Sequence, residues 1–299
     1  MPRPPGVNEP NTLNGIPGVF EGLRPRLMGV AYGLLGSVAE AEDVVQEAWI
    51  RLQRTETGEI EDLTGWLITT TSRIAIDVLR SARKRREEYV GPWLPEPVET
   101  SPDPADRVSL SDSLSWAMLV VLETLTPAER AAFVLHDVFD LSFDEIGATL
   151  GRTPVACRKL ASRARQHVES RKPRFEVDVE EHQEVVDAFA DATESGDLES
   201  LVGLLDPGAV LTADGGGIVR VGKGIQGGEK IATYLSGFGR DPARAIRVSA
   251  VNNNPALVIF QDGRILGVAA LGISQGRVAT IDFVANPHKL SEVRPTPDP

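Results

Sequence analysis

Apolar residues follow a helical rhythm over the first two thirds of this chain and an alternating one near its end. From residue 37 to 54, SVAEAEDVVQEAWIRLQR puts Val44, Val45, Ala48, Trp49 and Leu52 on one side of a helix that Ser37 can cap. The opposite side is acidic, and Asp43, Gln46 and Glu47 share it at i, i+3, i+4. A second helix, from 73 to 89, opens on Ile74, Ile76, Val78 and Leu79 and then turns almost wholly cationic. Between 142 and 166 the pattern predicts two helices and a tight turn. Phe143, Ile146 and Leu150 make the first stripe, Gly151 takes the left-handed turn, and Thr153 and Pro154 open the next helix. Val155 and Leu160 are expected to pack back, leaving Arg158, Lys159, Ser162, Arg163 and Arg165 outward. Two short helices near 178–196 and 197–206 then precede strand-like runs at 209–212, 218–221, 246–251, 256–261, 264–273 and 278–284. Helices followed by hairpins such as that at Asp262-Gly263 predict an α+β domain with an antiparallel sheet.

Charge changes this picture from a set of helices to a pair of contact surfaces. Residues 152–174 hold eight Lys or Arg against the single acid Glu169, and residues 73–86 hold Arg73, Arg80, Arg83, Lys84, Arg85 and Arg86 against Asp77. Yet the chain carries 31 basic and 43 acidic residues, a net charge of -12. Such a field repels free duplex DNA, so the basic islands point to DNA contact made inside a larger complex. A helix-turn-helix with an outward basic face suits the major groove, and a basic helix behind Trp66 and the hydroxyls of Thr69, Thr70 and Thr71 suits opened strands.

Three segments in order, AEDVVQEAWIRL, GWLITTTSRIAIDVLRSARKRR and LTPAERAAFVLHDVFDLSFDEIGATLGRTPVACRKLASRARQHV, resemble the two domains of bacterial sigma factors of the extracytoplasmic-function type, within the sigma-70 family. The resemblance covers residues 17–172. It implies an all-α second sigma domain at 17–90 and an all-α fourth sigma domain with the helix-turn-helix at 111–172. By the same resemblance Asp43, Gln46 and Glu47 contact the coiled coil of the large clamp subunit of core RNA polymerase, whose flap is a further partner. Arg73, Asp77, Arg80, Arg83, Lys84, Arg85 and Arg86 serve the minus-ten element, and Thr153, Val155, Arg158, Lys159, Ser162, Arg163 and Arg165 serve the minus-thirty-five element of promoter DNA.

Sigma factors of this type usually end soon after the recognition helix, whereas this chain continues for more than a hundred residues. The order of elements in that extension, 176–291, resembles the NTF2-like or SnoaL-like cone. Three pieces match the subgroup that carries such a domain, the mycobacterial sigma-J type: Trp93-Leu94-Pro95-Glu96-Pro97-Val98, Asp214-Gly215-Gly216-Gly217, and Asn286-Pro287-His288-Lys289-Leu290. The subgroup leads one to expect a cation directly after the triple glycine, where this chain has Ile218, with Arg220 and Lys223 following. The linker, 91–110, holds Pro92, Pro95, Pro97, Pro102 and Pro104 and reads as a semi-extended tether. Trp93 and Leu94 are too apolar for a free tether, which points to docking on the extension through Asp214, Gly215, Gly216 and Gly217 and through Asn286, Pro287, Lys289 and Leu290. By resemblance to that subgroup, the extension is expected to act as a built-in regulator. Residues 177–299 carry 10 basic and 17 acidic groups, so electrostatic competition with DNA is a second route to regulation.

A different class remains open. NTF2-like cones also house small-molecule sensors and polyketide-cyclase or isomerase-like enzymes that use a carboxylate base, for which Asp214, Asp282, His182 and His288 are the available groups. No paired catalytic motif stands among them, and the expectation is a non-enzyme with room for a small ligand in the cone. Cys157 alone forms no intrachain disulfide, and His136, His167, His182 and His288 lack ligand spacing, so neither metal nor cofactor is expected. No segment is apolar enough to span a bilayer, which implies a cytoplasmic protein. A separate anti-sigma protein is neither required nor excluded. The Pro-rich start, residues 1–16, is expected to be disordered, as is the tail (292–299) after Val293.

Overall fold

The computed structural model describes residues 12–56, 58, 60–87, 89–100, 114–171, 179–221, 224–239 and 241–295; the side chains of 12–14, 82–87, 171, 179 and 180 lie outside that description. Three helices, α1 (Thr12–Leu35), α2 (Val38–Gln53) and α3 (Leu63–Glu87), pack on one another first. α1 starts at Thr12 and carries Pro17 and Pro25 inside it, so residues 12–16, expected to be disordered, are helical; the rest of that expected stretch lies outside the described residues. α2 begins where the Ser37 hydroxyl accepts from the Glu40 amide, and it buries Val44, Val45, Ala48 and Leu52.

The next four helices are α4 (Trp116–Leu122), α5 (Pro127–Phe133), α6 (Phe143–Leu150) and α7 (Pro154–Arg171). Thr126 with Glu129 and Ser142 with Glu145 form reciprocal capping boxes, which fix where α5 and α6 start. Gly151 ends α6 at φ 64°, a conformation that favours glycine, and Thr153 accepts from the Ala156 amide to open α7. Both helical groups share one apolar core running from Phe20 and Leu27 through Leu79 and Leu119 to Cys157 and Val168. Arg130 reinforces the seam. It is 2% exposed and donates to Gly33 O at 3.1 Å while pairing with Glu123 at 2.6 Å.

The extension folds as α8 (Val179–Ser195) and α9 (Leu198–Leu204), then strands β1 (Leu205–Asp214) and β2 (Ile225–Gln226), helix α10 (Gly228–Phe238), and strands β3 (Arg244–Val251), β4 (Asn254–Gln261), β5 (Arg264–Ser274) and β6 (Arg277–Val284). The sheet order is β2-β1-β6-β5-β4-β3, and β1 pairs with β6 in parallel, so the sheet is mixed where a purely antiparallel one was expected. Residues 218–221 form a turn instead of the expected strand. The helix α10 hides in a glycine-rich stretch, yet Ile231, Ala232, Leu235 and Phe238 give it an apolar side.

The sheet has two covered faces. Its inner face packs on α8, α9 and α10 through Phe189, Leu201, Ile231, Leu257, Leu271 and Ile281. Its outer face takes Leu94 from the linker, Trp116 from α4, and Leu290 and Val293 from the chain end, against Val258, Phe260, Val268 and Val284. The linker is therefore docked where it is described. Thr100 N donates to Ala250 O at 2.8 Å, and Glu99 pairs with Val251 beside the edge strand β3.

Candidate nucleic-acid interface and regulatory joint

On α7, Cys157, Ala161, Ala164 and Val168 face the core, and Arg158, Lys159, Ser162 and Arg163 are exposed. Val155, expected to pack back, is instead 58% exposed, because Cys157 and the half-buried Leu160 already fill the space behind the helix start. It stands at the turn with Thr153, on the exposed end of the helix. The Arg158 guanidinium lies 5.1 Å from the Phe143 ring centre, which orients it without removing it from solvent. Arg165 is committed differently, pairing with Asp137 at 2.5 Å.

On α3, Arg73, Asp77 and Arg80 share an exposed side. Asp77 and Arg80 pair with each other at 3.2 Å, and Arg73 Nη2 donates to Ala148 O of α6 at 2.9 Å. Arg73 thus bridges the two helical groups, closing off a C-terminal carbonyl of α6 that has no partner within its own helix. Arg83, Lys84, Arg85 and Arg86 continue the same helix, with side chains outside the described residues. On α2, Asp43 and Gln46 are exposed, while Glu47 is partly covered and pairs with Arg51 at 2.8 Å.

The joint between linker and extension centres on Asp214, which is wholly buried. Its Oδ2 accepts from Lys289 Nζ at 2.8 Å and from Leu94 N at 3.0 Å; its Oδ1 accepts from Tyr89 OH at 2.6 Å and Gly216 N at 3.1 Å. Lys289, 3% exposed, also donates to Leu94 O at 2.5 Å and sits 3.2 Å above the Trp93 ring. A buried charge with so many partners is stable where an isolated one is not. Burial and the Asp214 carboxylate push the Tyr89 hydroxyl well above the ordinary tyrosine range, so it stays a donor. Asn286 donates to Tyr89 OH at 2.9 Å, and its Oδ1 accepts from His288 N. Gly216 and Gly217 have φ of 61° and 73°; a Cβ on the first would collide with Asn286, and one on the second would crowd Val90. Gly215 likewise leaves no room against Val219 O. Pro95 is buried near Gly36, Pro287 begins a single 3-10 turn, and Leu290 joins the outer-face core.

Sequence reasoning missed three further links. Glu99 accepts from Ser249 Oγ at 2.5 Å and Arg294 Nη2 at 2.7 Å and pairs with Arg247 at 3.1 Å. Burial works against its ionisation, but the Arg294 and Ser249 hydrogen bonds and the Arg247 charge together hold its carboxyl below the usual range. The tail expected to be disordered after Val293 therefore contributes Arg294, next to the buried Val293. Tyr32 OH donates to Glu96 O at 2.7 Å and accepts from Asn252 Nδ2 at 2.9 Å, tying the first helix to the β3–β4 turn. Asn252 and Asn253 have φ of 49° and 62°, so the paired Asn were a hairpin signal in the sequence. Finally Trp116 Nε1 donates to Asp282 Oδ2 at 3.3 Å, joining α4 to the sheet. No local pattern announces that contact.

Comparison with known proteins accounts for the two helical groups. Residues 19–85 match the model for sigma-70 region 2, and residues 115–168 match that for sigma-70 region 4. The probable extracytoplasmic-function sigma factor SigI of Mycobacterium tuberculosis is 36% identical over 91% of this chain and 93% of its own length. The chain is an extracytoplasmic-function sigma factor. SigJ of the same organism is 39% identical over 91% of this chain and 92% of its own. The crystal structure of M. tuberculosis SigJ superposes with a TM-score of 0.72 at 36% identity, covering 92% of this chain and 98% of that one. The shared architecture therefore includes the C-terminal domain of helices and mixed sheet, and as an alternative sigma factor the protein acts in transcription initiation without being an enzyme. Its C-terminal domain holds, in the expected cone interior, a cavity of about 390 Å³ lined by Phe189, Leu211, Tyr234, Ile259 and Phe283, with Arg220 and Arg244. Asp214, Asp282, His182 and His288, the groups weighed as general bases, do not line it. Among the described residues no helix is long and apolar enough to cross a membrane.

Proposed function

We propose that the sigma factor is regulated in cis, its NTF2-like domain restraining regions 2 and 4 until core polymerase separates them. In this reading Asp43, Gln46 and Glu47 meet the clamp coiled coil, and region 4 docks on the flap. The α3 helix from Arg73 to Arg86 engages the minus-ten element, and Thr153, Val155, Arg158, Lys159, Ser162 and Arg163 present α7 to the minus-thirty-five element, with Arg165 joining them once it leaves Asp137. The observation that carries the proposal is the Asp214 and Lys289 pair, because it grips Leu94, at the start of the only covalent connection between regions 2 and 4. Arg73 adds to it: its bond to Ala148 O engages a cation of the minus-ten set in a contact with region 4. A conformational restraint of this kind requires contacts that differ between two states, and the buried linker bonds supply them.

Run-off transcription with bacterial core polymerase tests it. Full-length protein should give specific transcripts, and Asp214→Ala should raise their yield at subsaturating polymerase; equal yields from both would remove the restraint. Arg158→Ala should weaken binding to the upstream element by about 1–3 kcal/mol with loss of specificity at one base pair, whereas a uniform loss across sequences would make Arg158 a phosphate contact. A second reading, ligand sensing, is favoured by the apolar cone cavity, whose size suits a small molecule with Arg220 near its polar part.

A further inference from the structure

A second cavity, of about 520 Å³, lies outside the cone, between region 4 and the outer face of the sheet. Its region 4 wall comes from α4 and from Val168 of α7; its opposite wall comes from β1, β3, β4, β5 and β6 and from His182 of α8. Most of the lining is apolar, as with Met118, Val121, Ala256 and Ile273. Ser115, Thr212, Asn254 and Thr280 add polar atoms to the wall, and two titratable groups stand among them, His182 and Asp282. His182 Nε2 is buried without a hydrogen-bond partner, and burial holds the imidazole below its ordinary pKa, so it is neutral and able to accept. Asp282 uses Oδ2 on Trp116 Nε1, while its Oδ1 has no hydrogen-bond partner among the described residues. An orphaned buried nitrogen and a half-used carboxyl lining one largely apolar cavity are the composition of a ligand site: broad apolar contact with a few polar atoms.

We infer that this interdomain cavity binds a small, uncharged, largely apolar molecule with a hydroxyl head, the hydroxyl donating to Asp282 or His182. A carboxylate in the wall disfavours anions, and the neutral imidazole gives a hydroxyl a second place to bond. Because the walls belong to two domains, an occupant is held only while they stay apposed. It therefore stabilises the docked arrangement by mass action and acts as a corepressor. The corepressor role rests on the restraint proposed above; the binding site does not.

Calorimetric titration of the full-length protein with 4-phenylphenol separates the two. One saturable site is expected, with affinity reduced at least tenfold in His182→Leu, a change that removes no existing hydrogen bond, and reduced in Asp282→Asn. Leu211→Trp, which fills the cone instead, should leave the affinity unchanged. Absence of binding, binding indifferent to His182 and Asp282, or binding lost in Leu211→Trp would each overturn the site. If binding behaves as expected but saturating 4-phenylphenol leaves transcript yield unchanged, the site stands and the corepressor role is refuted.

Discussion

The two faces of the C-terminal sheet are built from the same strands by different chemistry. The inner face is sealed by aliphatic and aromatic side chains on α8, α9 and α10. The outer face mixes an apolar patch with buried charge pairs, Asp214 with Lys289 and Glu99 with Arg247, the second joined by the half-exposed Arg294, each spanning elements distant in sequence. Apolar burial is non-directional and scales with area, so the inner face holds the domain together under most conditions. Buried charge pairs add little net stability over apolar residues but penalise any arrangement that separates them. The inner face folds the domain; the outer face specifies where the linker and region 4 sit.

The comparison breaks most severely at Asp214. Asp214→Ala leaves Lys289 charged and buried and removes the acceptor of Leu94 N and Tyr89 OH, for which about 3–5 kcal/mol is expected. Limited proteolysis should show the linker cut faster. By contrast Ile281→Ala on the inner face should cost about 2–5 kcal/mol in chemical denaturation without favouring linker cleavage. If the two variants expose the linker equally, the faces do not differ in role.

A smaller effect is expected at Glu99. Its carboxyl titrates below the usual range in the folded protein, so its ionised form contributes stability that is present above the ordinary glutamate pKa and lost as pH falls through the lower folded one. Glu99→Gln should flatten that acid limb in a series of melting curves; an unchanged limb would assign acid sensitivity to other carboxylates.

Asp282 has the opposite sign. Burial pushes its pKa up to about 6, only partly offset by the Trp116 hydrogen bond, so folding favours the protonated acid. Stability should therefore fall as pH rises from about 4 to about 6 and level off above. Asp282→Asn retains an acceptor for Trp116 and should raise the melting temperature at pH 7.5 while doing little at pH 4. A variant less stable at both values would show that the carboxylate is better satisfied than its surroundings indicate. The smallest effect is expected at the exposed Arg73: Arg73→Ala should change stability by at most about 1 kcal/mol while weakening the contact with α6.

Local signals made much of this legible in the sequence. Ser37, Gly151, Thr153 and Pro154 mark helix ends by chemistry that acts within a few residues, and α2, α6 and α7 follow from them. The docking residues were reachable only through their resemblance to a subgroup, since nothing in Asp214-Gly215-Gly216-Gly217 alone points to a lysine 75 residues away. What escaped was either nonlocal or disguised. The parallel pairing of β1 with β6 depends on a crossover, α10 is framed by glycines that read as turns, and Glu99 meets Arg294 at a separation of 195 residues. Val155 went astray because a β-branched apolar residue at a helix start was assigned inward when Cys157 takes that place.

The central claim is that the outer-face bonds restrain regions 2 and 4 beyond the apolar core that the two share. Energy transfer between dyes attached at Glu42 and Gln166, both exposed and one in each region, reports their separation directly. High transfer in the free protein, a fall on adding core polymerase, and a partial fall in Asp214→Ala alone is the predicted result. Transfer that is the same in all three would contradict the account.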